Sequence, residues 1–264
     1  MSRQAKGGGT PTYRRPRCVG EVRPLTLAPL EADLTRFAAV RPDGPLHVHL
    51  SEQPAENAAV LAVHGCTPTA LLDRSGLLGA STTAVHATHL TDDDVRLLGG
   101  SGTGVCFCPT TERDLADGIG RARDLHRAGS PLSLGSDQHA VIDAFEEMRG
   151  LELHERLSTG ERGRFTPAAL ITAATAAGHT ALGWDGGGRL AVGAPADLVL
   201  VDPTSVRTAG SAPAQIHYSA TATDVRDVII GGQRVVRDRA HRVGDVGALL
   251  SETLSRLTND LEDR

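Results

Sequence analysis

Residues 46–53 read LHVHLSEQ, a short stretch in which apolar residues alternate with two histidines. Alternate side chains of an extended strand share a face, so His47 and His49 lie on one face and the aliphatic residues on the other. Glu52 follows just beyond the end of this run. The pattern predicts a buried strand that delivers polar side chains to its carboxyl end.

The composition favours an aliphatic core in a chain of 264 residues, long enough for one large domain. Hydrophobic residues make up 40% but aromatic residues only 3%, which suits a parallel α/β sheet buried on both faces. The net charge of −5 excludes the basic footprint of a nucleic-acid-binding protein, and no apolar run reaches membrane-spanning length. Four cysteines without zinc-ribbon spacing, and no signal peptide, predict a reduced, cytoplasmic protein.

Strands and helices alternate through the first half of the chain. Strand-like runs are predicted at 45–50, 82–87, 104–108 and 131–135, and helices near 54–64, 68–74, 91–98 and 117–128. This order is typical of βα units and a parallel sheet.

The pattern changes after residue 137. Helices are predicted at 141–157 and 166–178, and strands at 196–202 and 225–236, where a Gly-Gly turn interrupts the second run. We therefore expect four segments. They are a disordered or non-native leader (1–24), the βα series with its following helices (25–190), a small separate sheet (191–240) and a closing helix (241–264).

Polar side chains gather where the four predicted βα strands end. Active sites of (β/α) barrels lie at the carboxyl ends of the strands. Histidine and carboxylate ligands suit metal-assisted hydrolysis, because they leave an open position on Zn²⁺ where the pKa of a water molecule falls to about 7. The side chains concerned are His49, Glu52, His86, His89, Thr110, Thr111, Glu112, Asp137 and His139.

Each of these residues also has an ordinary structural interpretation. Taken by itself, Glu52 is interpreted as a solvated acid at the start of a helix. Taken by itself, Asp137 is interpreted as a helix N-cap. Glu112 is interpreted as a solvated loop carboxylate. Cys106 and Cys108 alternate in an apolar strand, so one is expected in the core and neither as a nucleophile. The occurrence of polar side chains at four consecutive strand ends is what favours a site.

Four motifs resemble strands five to eight of a barrel of the amidohydrolase superfamily. They are HLSE (49–52), VHATHLT (85–91), CPTTE (108–112) followed by LADG, and GSDQH (135–139). Residues 188–202 and 225–236 resemble the C-terminal part of that superfamily's small β-sandwich. The resemblance implies an α/β fold: a partial (β/α)8 TIM-type barrel of about strands five to eight, plus a β-sandwich remnant.

The sequences VHATHLT and CPTTERDLADG resemble the corresponding segments of the formimidoylglutamate deiminases, enzymes of histidine degradation. That family uses a divalent metal to hydrolyse N-formimino-L-glutamate to N-formyl-L-glutamate and ammonia. The resemblance implies that His49 and Asp137 are metal ligands, Glu52 the proton shuttle and His86 the residue that polarises the reacting group. Zinc is the expected metal, although Fe²⁺ accepts the same ligands.

Two alternatives remain open at this point. The chain resembles other amine-releasing members of the superfamily, such as guanine or cytosine deaminases. It also fits an inactive, truncated remnant.

The chain departs from the family pattern at its beginning. The family has a His-x-His pair on the first barrel strand, but the HVH of residues 47–49 precedes only three further strands before Asp137. We therefore expect the chain to begin near strand four or five and to need a homo-oligomer or the missing N-terminal half. Residues 26–37 also have neither the His nor the Arg at the place where the family binds substrate carboxylates, and Arg36 is the only nearby base.

Overall fold

A computed structural model describes residues 20–22, 31–40, 44–184 and 186–262. The chain divides into two compact units, with the boundary between Ala194 and Pro195. Most of the leader predicted for residues 1–24 lies outside the described residues. Residues 20–22 form a strand, which differs from the expectation for that segment.

The first unit contains a five-stranded parallel sheet. Its strands are β1 (Gly20–Val22), β2 (Leu46–Leu50), β3 (Thr82–His86), β4 (Gly104–Phe107) and β5 (Leu132–Leu134). Each strand pairs with the next one along the chain, so the sheet order equals the chain order. This confirms the predicted parallel α/β sheet, and the order is that of consecutive strands in a (β/α) barrel.

Helices of the first unit follow the strands as expected, with three differences. They are α1 (Glu31–Val40), α2 (Pro54–His64), α3 (Pro68–Arg74), α4 (Asp92–Ser101), α5 (Pro109–Asp114), α6 (Ala122–Ala128), α7 (Ala144–Thr159), α8 (Pro167–Ala174) and α9 (Ala176–Ala181). The sequence did not predict α1 or the short α5. The helix predicted at 166–178 breaks at Thr175, whose φ of −131° and ψ of −94° are not helical.

The apolar face of β2 is part of the core, as the alternation predicted. Leu46, Val48 and Leu50 are at most 4% exposed. Helix α4 shows how local sequence sets an element: Thr91 and Asp94 form a reciprocal capping box at its start, and Gly102 ends it with a φ of 70°. Such caps fix where each helix meets the sheet.

The second unit is a small antiparallel sheet. Its strands are β6 (Leu198–Val201), β7 (Val225–Ile230), β8 (Gln233–Arg237) and β9 (Ala240–His241), in that order. Two 3₁₀ turns (Pro213–Tyr218, Ala222–Asp224) precede β7, and α10 (Val246–Glu262) follows β9. Gly231 and Gly232 connect β7 to β8 with positive φ at both positions, which only glycine adopts without strain. Among the helices of the described residues, none is long and apolar enough to cross a membrane.

Two adjacent glycines of α4 test how tightly this helix packs on α6. A Cβ on Gly99 would lie 2.5 Å from the Cβ of Ala128 and would also contact the Ala128 carbonyl, whereas a Cβ on Gly100 would meet nothing within 4 Å. We expect Gly99→Ala to lower the free energy of unfolding by about 1–3 kcal/mol through overpacking. The matched control Gly100→Ala should raise it by about 0.5–1 kcal/mol, because alanine is the better helix former. Urea unfolding of both variants measures the difference, and equal effects would contradict the close packing.

Candidate active site

The carboxyl ends of the parallel strands bring the predicted site residues together around His86. This histidine is the last residue of β3 and is fully buried. Its Nε2 lies 3.6 Å from Glu52 Oε1 and 3.8 Å from Asp137 Oδ2. The ring of His49 stands 5.3 Å from the His86 ring, centroid to centroid. His49, Glu52 and Asp137 therefore cluster around His86. The individual roles of the four residues remain predictions.

Glu112 belongs to this cluster, contrary to its interpretation as a solvated loop acid. Its side chain is 2% exposed, and its Oε1 accepts the Cys108 N–H at 2.8 Å and lies 3.4 Å from His86 Nδ1. The short helix α5 causes this, since it turns the carboxylate back over the end of β4. The sequence did contain a signal for the start of α5, because Pro109 is followed one turn later by the acid Glu112.

The carboxylates around His86 favour a positive charge at its Nε2. A carboxylate only accepts hydrogen bonds, so Glu112 holds a proton on Nδ1. A neutral His86 would then turn the Nε2 lone pair toward the carboxylates of Glu52 and Asp137. Burial alone lowers the pKa of His86, but the hydrogen bond to Glu112 and the three carboxylate charges outweigh it and raise that pKa. A proton or a metal cation at Nε2 relieves the repulsion.

Asp117 is a further buried carboxylate of the site, and the sequence did not single it out. Ligand atoms of Glu52, His86 and Asp117 lie within 4.8 Å of one another, a cluster able to hold a metal ion. Burial and the charge of Glu52 raise the pKa of Asp117 to about 6. The side-chain amide of Gln53 donates to Asp117 Oδ1, and His89 Nε2 donates to the Asp117 carbonyl at 2.7 Å. The LADG motif contains this residue.

Glu56 positions the turn that carries Glu52. Its carboxylate accepts the backbone N–H groups of Ser51 and Glu52, each at 3.0 Å, from the first turn of α2. The side chain is buried, which raises the pKa of Glu56. Sequence reasoning missed this residue because an acid in a first helical turn is ordinarily a surface feature.

Backbone strain concentrates at the site. Five of the seven non-glycine residues with positive φ in the described part of the chain are site residues or their direct neighbours. They are Ser51, His86, Ala87, Ala116 and Asp137. Each such conformation costs on the order of 1–3 kcal/mol and persists only where the surroundings enforce it. Holding these side chains in position therefore lowers the free energy of unfolding of the protein.

The donor set fits a divalent metal such as zinc. Imidazole and carboxylate groups are ordinary zinc ligands, and the buried Nε2 of His86 has no hydrogen-bond partner among the described residues. The structure brings two ligand sets into the same space. One is the predicted pair of His49 and Asp137, and the other is the cluster of Glu52, His86 and Asp117.

Comparison with known proteins decides the family. The model of the amidohydrolase family matches residues 31–235. This chain belongs to the amidohydrolase family. The resemblance seen in the strand-end motifs is thus confirmed at the level of the superfamily.

Three similar proteins are deaminases. One is the 5-methylthioadenosine/S-adenosylhomocysteine deaminase of Haloarcula marismortui, 32% identical over 80% of this chain and 50% of the relative. The 8-oxoguanine deaminase of Pseudomonas aeruginosa is 34% identical over 86% and 51%. A zinc-bound crystal structure of an adenosine deaminase from Xanthomonas campestris has a TM-score of 0.79 and 32% identity, over 85% of this amidohydrolase chain and 53% of that one. The chain spans about half the length of these relatives.

The contact between Glu112 and His86 predicts a measurable change in the imidazole. In Glu112→Gln the carboxylate charge is removed, so the pKa of His86 should fall in the metal-free protein, while the amide oxygen still accepts the proton on Nδ1. Nitrogen NMR of the histidine side chains reports both the protonation and the tautomer. The control Glu161→Gln removes an exposed carboxylate and should leave the His86 signals unchanged. An unchanged His86 titration in Glu112→Gln would show that this contact does not set the charge.

Proposed function

We propose that this site is part of the hydrolytic centre of a metal-dependent deaminase, which releases ammonia from an amidine carbon. The observation that carries the proposal is the arrangement of His86. Its Nδ1 lies against Glu112, and its Nε2 faces Glu52 and Asp137 at the carboxyl end of a parallel sheet. Membership of the amidohydrolase family and the deaminase names of the relatives support it.

His49 and Asp137 would hold the divalent ion, with Asp117 next to Glu52 as a further carboxylate. When bound, such an ion lowers the pKa of a water molecule toward neutrality and polarises the reacting carbon's substituent. Asp137 is about one-third exposed and lies beside His86, so it can accept a proton from the attacking water. This assignment follows the resemblance of GSDQH and the position of Asp137 after β5.

Glu52 is the group placed to move a proton between water and the leaving nitrogen. Its side chain is partly exposed, and its backbone is held by Glu56. His86 is too buried to exchange freely with solvent. With Nδ1 held by Glu112, a protonated His86 can donate from Nε2 to charge that develops on the substrate.

The names of the relatives favour a purine substrate. The amine-bearing carbon of adenosine is an amidine carbon, bonded to the amine and to one ring nitrogen. That of 8-oxoguanine is bonded to three nitrogens, as in a guanidine. These names match the alternative of a guanine-type deaminase better than formimidoylglutamate deiminase. We therefore propose a small purine base or nucleoside as the first substrate class.

N-formimino-L-glutamate is a second candidate, and a specific observation favours it. Glu112 and Asp117, which lie in the CPTTERDLADG segment that resembles the deiminases, are both buried in the site. Four carboxylates then surround one imidazole, an arrangement that suits a cationic reacting group. A linear formimino group is protonated at neutral pH, whereas the purines are neutral.

Activity of the whole enzyme is proposed for the site and not for this chain alone, because the chain spans about half of its relatives. The predicted need for a second copy or a separate N-terminal half belongs to the same proposal. The remnant interpretation becomes one outcome of the experiment.

Ammonia release tests the function, with the zinc-loaded chain assayed alone and together with the separately expressed N-terminal half of a relative such as the 8-oxoguanine deaminase, because activity is proposed for the completed site. We expect release from 5-methylthioadenosine, S-adenosylhomocysteine or 8-oxoguanine, with N-formimino-L-glutamate assayed in parallel. Glu52→Gln should lower kcat/KM by roughly 10²–10⁴-fold, because the proton shuttle is lost while the shape is kept. The control Glu161→Gln should stay within twofold of the unmodified chain.

The outcomes separate the alternatives. Release from N-formimino-L-glutamate only would replace the first substrate class by the second. Activity that survives Glu52→Gln would remove Glu52 from the mechanism. Absence of both ammonia release and bound zinc, measured by elemental analysis, would support the remnant interpretation.

A further inference from the structure

The first turn of α5 is held by a buried carboxylate of α7. Glu147 lies in the first turn of α7, and its side chain is 3% exposed. Its Oε1 accepts the Thr110 hydroxyl at 2.5 Å, and its Oε2 accepts the Thr110 N–H at 3.1 Å. Both oxygens of one carboxylate therefore bind a single residue of α5, which fixes the direction of the contact as well as its distance.

A glycine further along α7 lets the two helices come close together. Gly150 follows Glu147 by three residues and so shares a face of the helix with it. A Cβ on Gly150 would lie 2.5 Å from the Cβ of Pro109, the first residue of α5. Glycine is normally unfavourable within a helix, but here a larger residue would push α5 away. Helix α7 therefore contacts α5 at two consecutive residues, Pro109 and Thr110.

Helix α5 depends on contacts from outside itself. It has only six residues, and the side chain of its N-cap, Cys108, makes no capping hydrogen bond. Short helices are unstable by themselves, and the first N–H groups of any helix lack partners within it. Two carboxylates accept N–H groups at this end of α5. Glu112 accepts that of Cys108, and Glu147 accepts that of Thr110.

Four consecutive residues at the start of α5 each make a different tertiary contact. The contacts are Pro109 with Gly150, Thr110 with Glu147, Thr111 with Ser136 and His139, and Glu112 with His86. The last contact is sensitive to displacement, because the 3.4 Å between Glu112 Oε1 and His86 Nδ1 is near the upper limit of a hydrogen bond. A shift of a few tenths of an ångström at the start of α5 would break it.

We propose that Glu147 is a positioning residue, which holds Glu112 against His86 by fixing the first turn of α5 through Thr110. Burial raises the pKa of Glu147, whereas the two hydrogen bonds from Thr110 lower it, so these bonds favour the ionised form that accepts from both donors. The consequence for catalysis rests on the proposed function. The position of Glu112 is measured without substrate, so a failure of the positioning role and a failure of the proposed function are distinguishable.

Amide hydrogen exchange of the full chain, followed residue by residue with NMR, provides the test. The Cys108 N–H reports the position of Glu112, which accepts it at 2.8 Å. The Val105 N–H donates at 2.8 Å to the residue that precedes β5 and reports the stability of the sheet. In Glu147→Ala the exchange rate of Cys108 should rise at least tenfold relative to that of Val105. A residue that only stabilises the unit would raise both rates together.

Conservative variants separate the hydrogen bonds from the filling of space. Glu147→Gln should keep the ratio of the two exchange rates within threefold of the unmodified chain, because an amide can accept the Thr110 N–H and donate to the Thr110 hydroxyl oxygen. Thr110→Val keeps the size of the side chain but removes the hydroxyl donor, so the ratio should rise at least threefold. Thr110→Ser keeps the hydroxyl and should stay within twofold.

The control Glu152→Gln alters another buried carboxylate of α7, which accepts the Phe165 N–H at 2.7 Å. It should lower the free energy of unfolding without raising the ratio of the exchange rates. In a Glu112→Ala background the Cys108 N–H has lost this acceptor, so Glu147→Ala should change the ratio less than twofold. The proposal is overturned by an unchanged ratio in Glu147→Ala and Thr110→Val, by an equal rise in Glu152→Gln, or by a tenfold rise in the Glu112→Ala background.

Discussion

The balance of charge around the buried imidazole of His86 is the constraint on which the site depends. Its Nε2 lies 3.6 Å from Glu52, a distance at which two unit charges interact by about 4–5 kcal/mol at an effective dielectric constant of about 20. Glu112 on the other ring nitrogen and Asp137 beside Glu52 add to this attraction. The same carboxylates repel one another, so the cluster needs a cation in its midst. That need links the electrostatics of the site to metal-dependent hydrolysis in the amidohydrolase family.

The parallel sheet makes this concentration of carboxylates feasible. Neighbouring strands fix one another, and the chain after β2, β3 and β5 contains non-glycine residues with positive φ. Ser51 and Asp137 carry positive φ next to or at the charged side chains. Hydrogen bonds from outside the cluster hold these turns in place. Glu56 accepts from the turn after β2, and Thr111 joins the turn after β5 by bonding to the Ser136 carbonyl at 2.8 Å and the His139 N–H at 3.2 Å.

The groups around the predicted site residues are as informative as those residues themselves. Glu112 lies against Nδ1 of His86 and therefore favours a proton on that nitrogen. Asp117 adds a carboxylate whose raised pKa makes it sensitive to any cation that enters the site. Both lie in one segment after β4, which also contains Cys108.

The sequence by itself determined strands β2 to β5, most of the helices between them, their order and the membership of the superfamily, but not β1, α1 or α5. Alternation in LHVHL and TTAVH, with apolar helices between, depends only on local periodicity, and the strands lie within a residue or two of their predicted ends. His49, Glu52, His86 and Asp137 were found because strand ends of a parallel sheet must meet. The roles of Glu56, Glu112 and Asp117 were decided by tertiary structure alone. Their burial follows from how α2 and α5 turn back over the sheet, and the same acids on an isolated helix would be solvated.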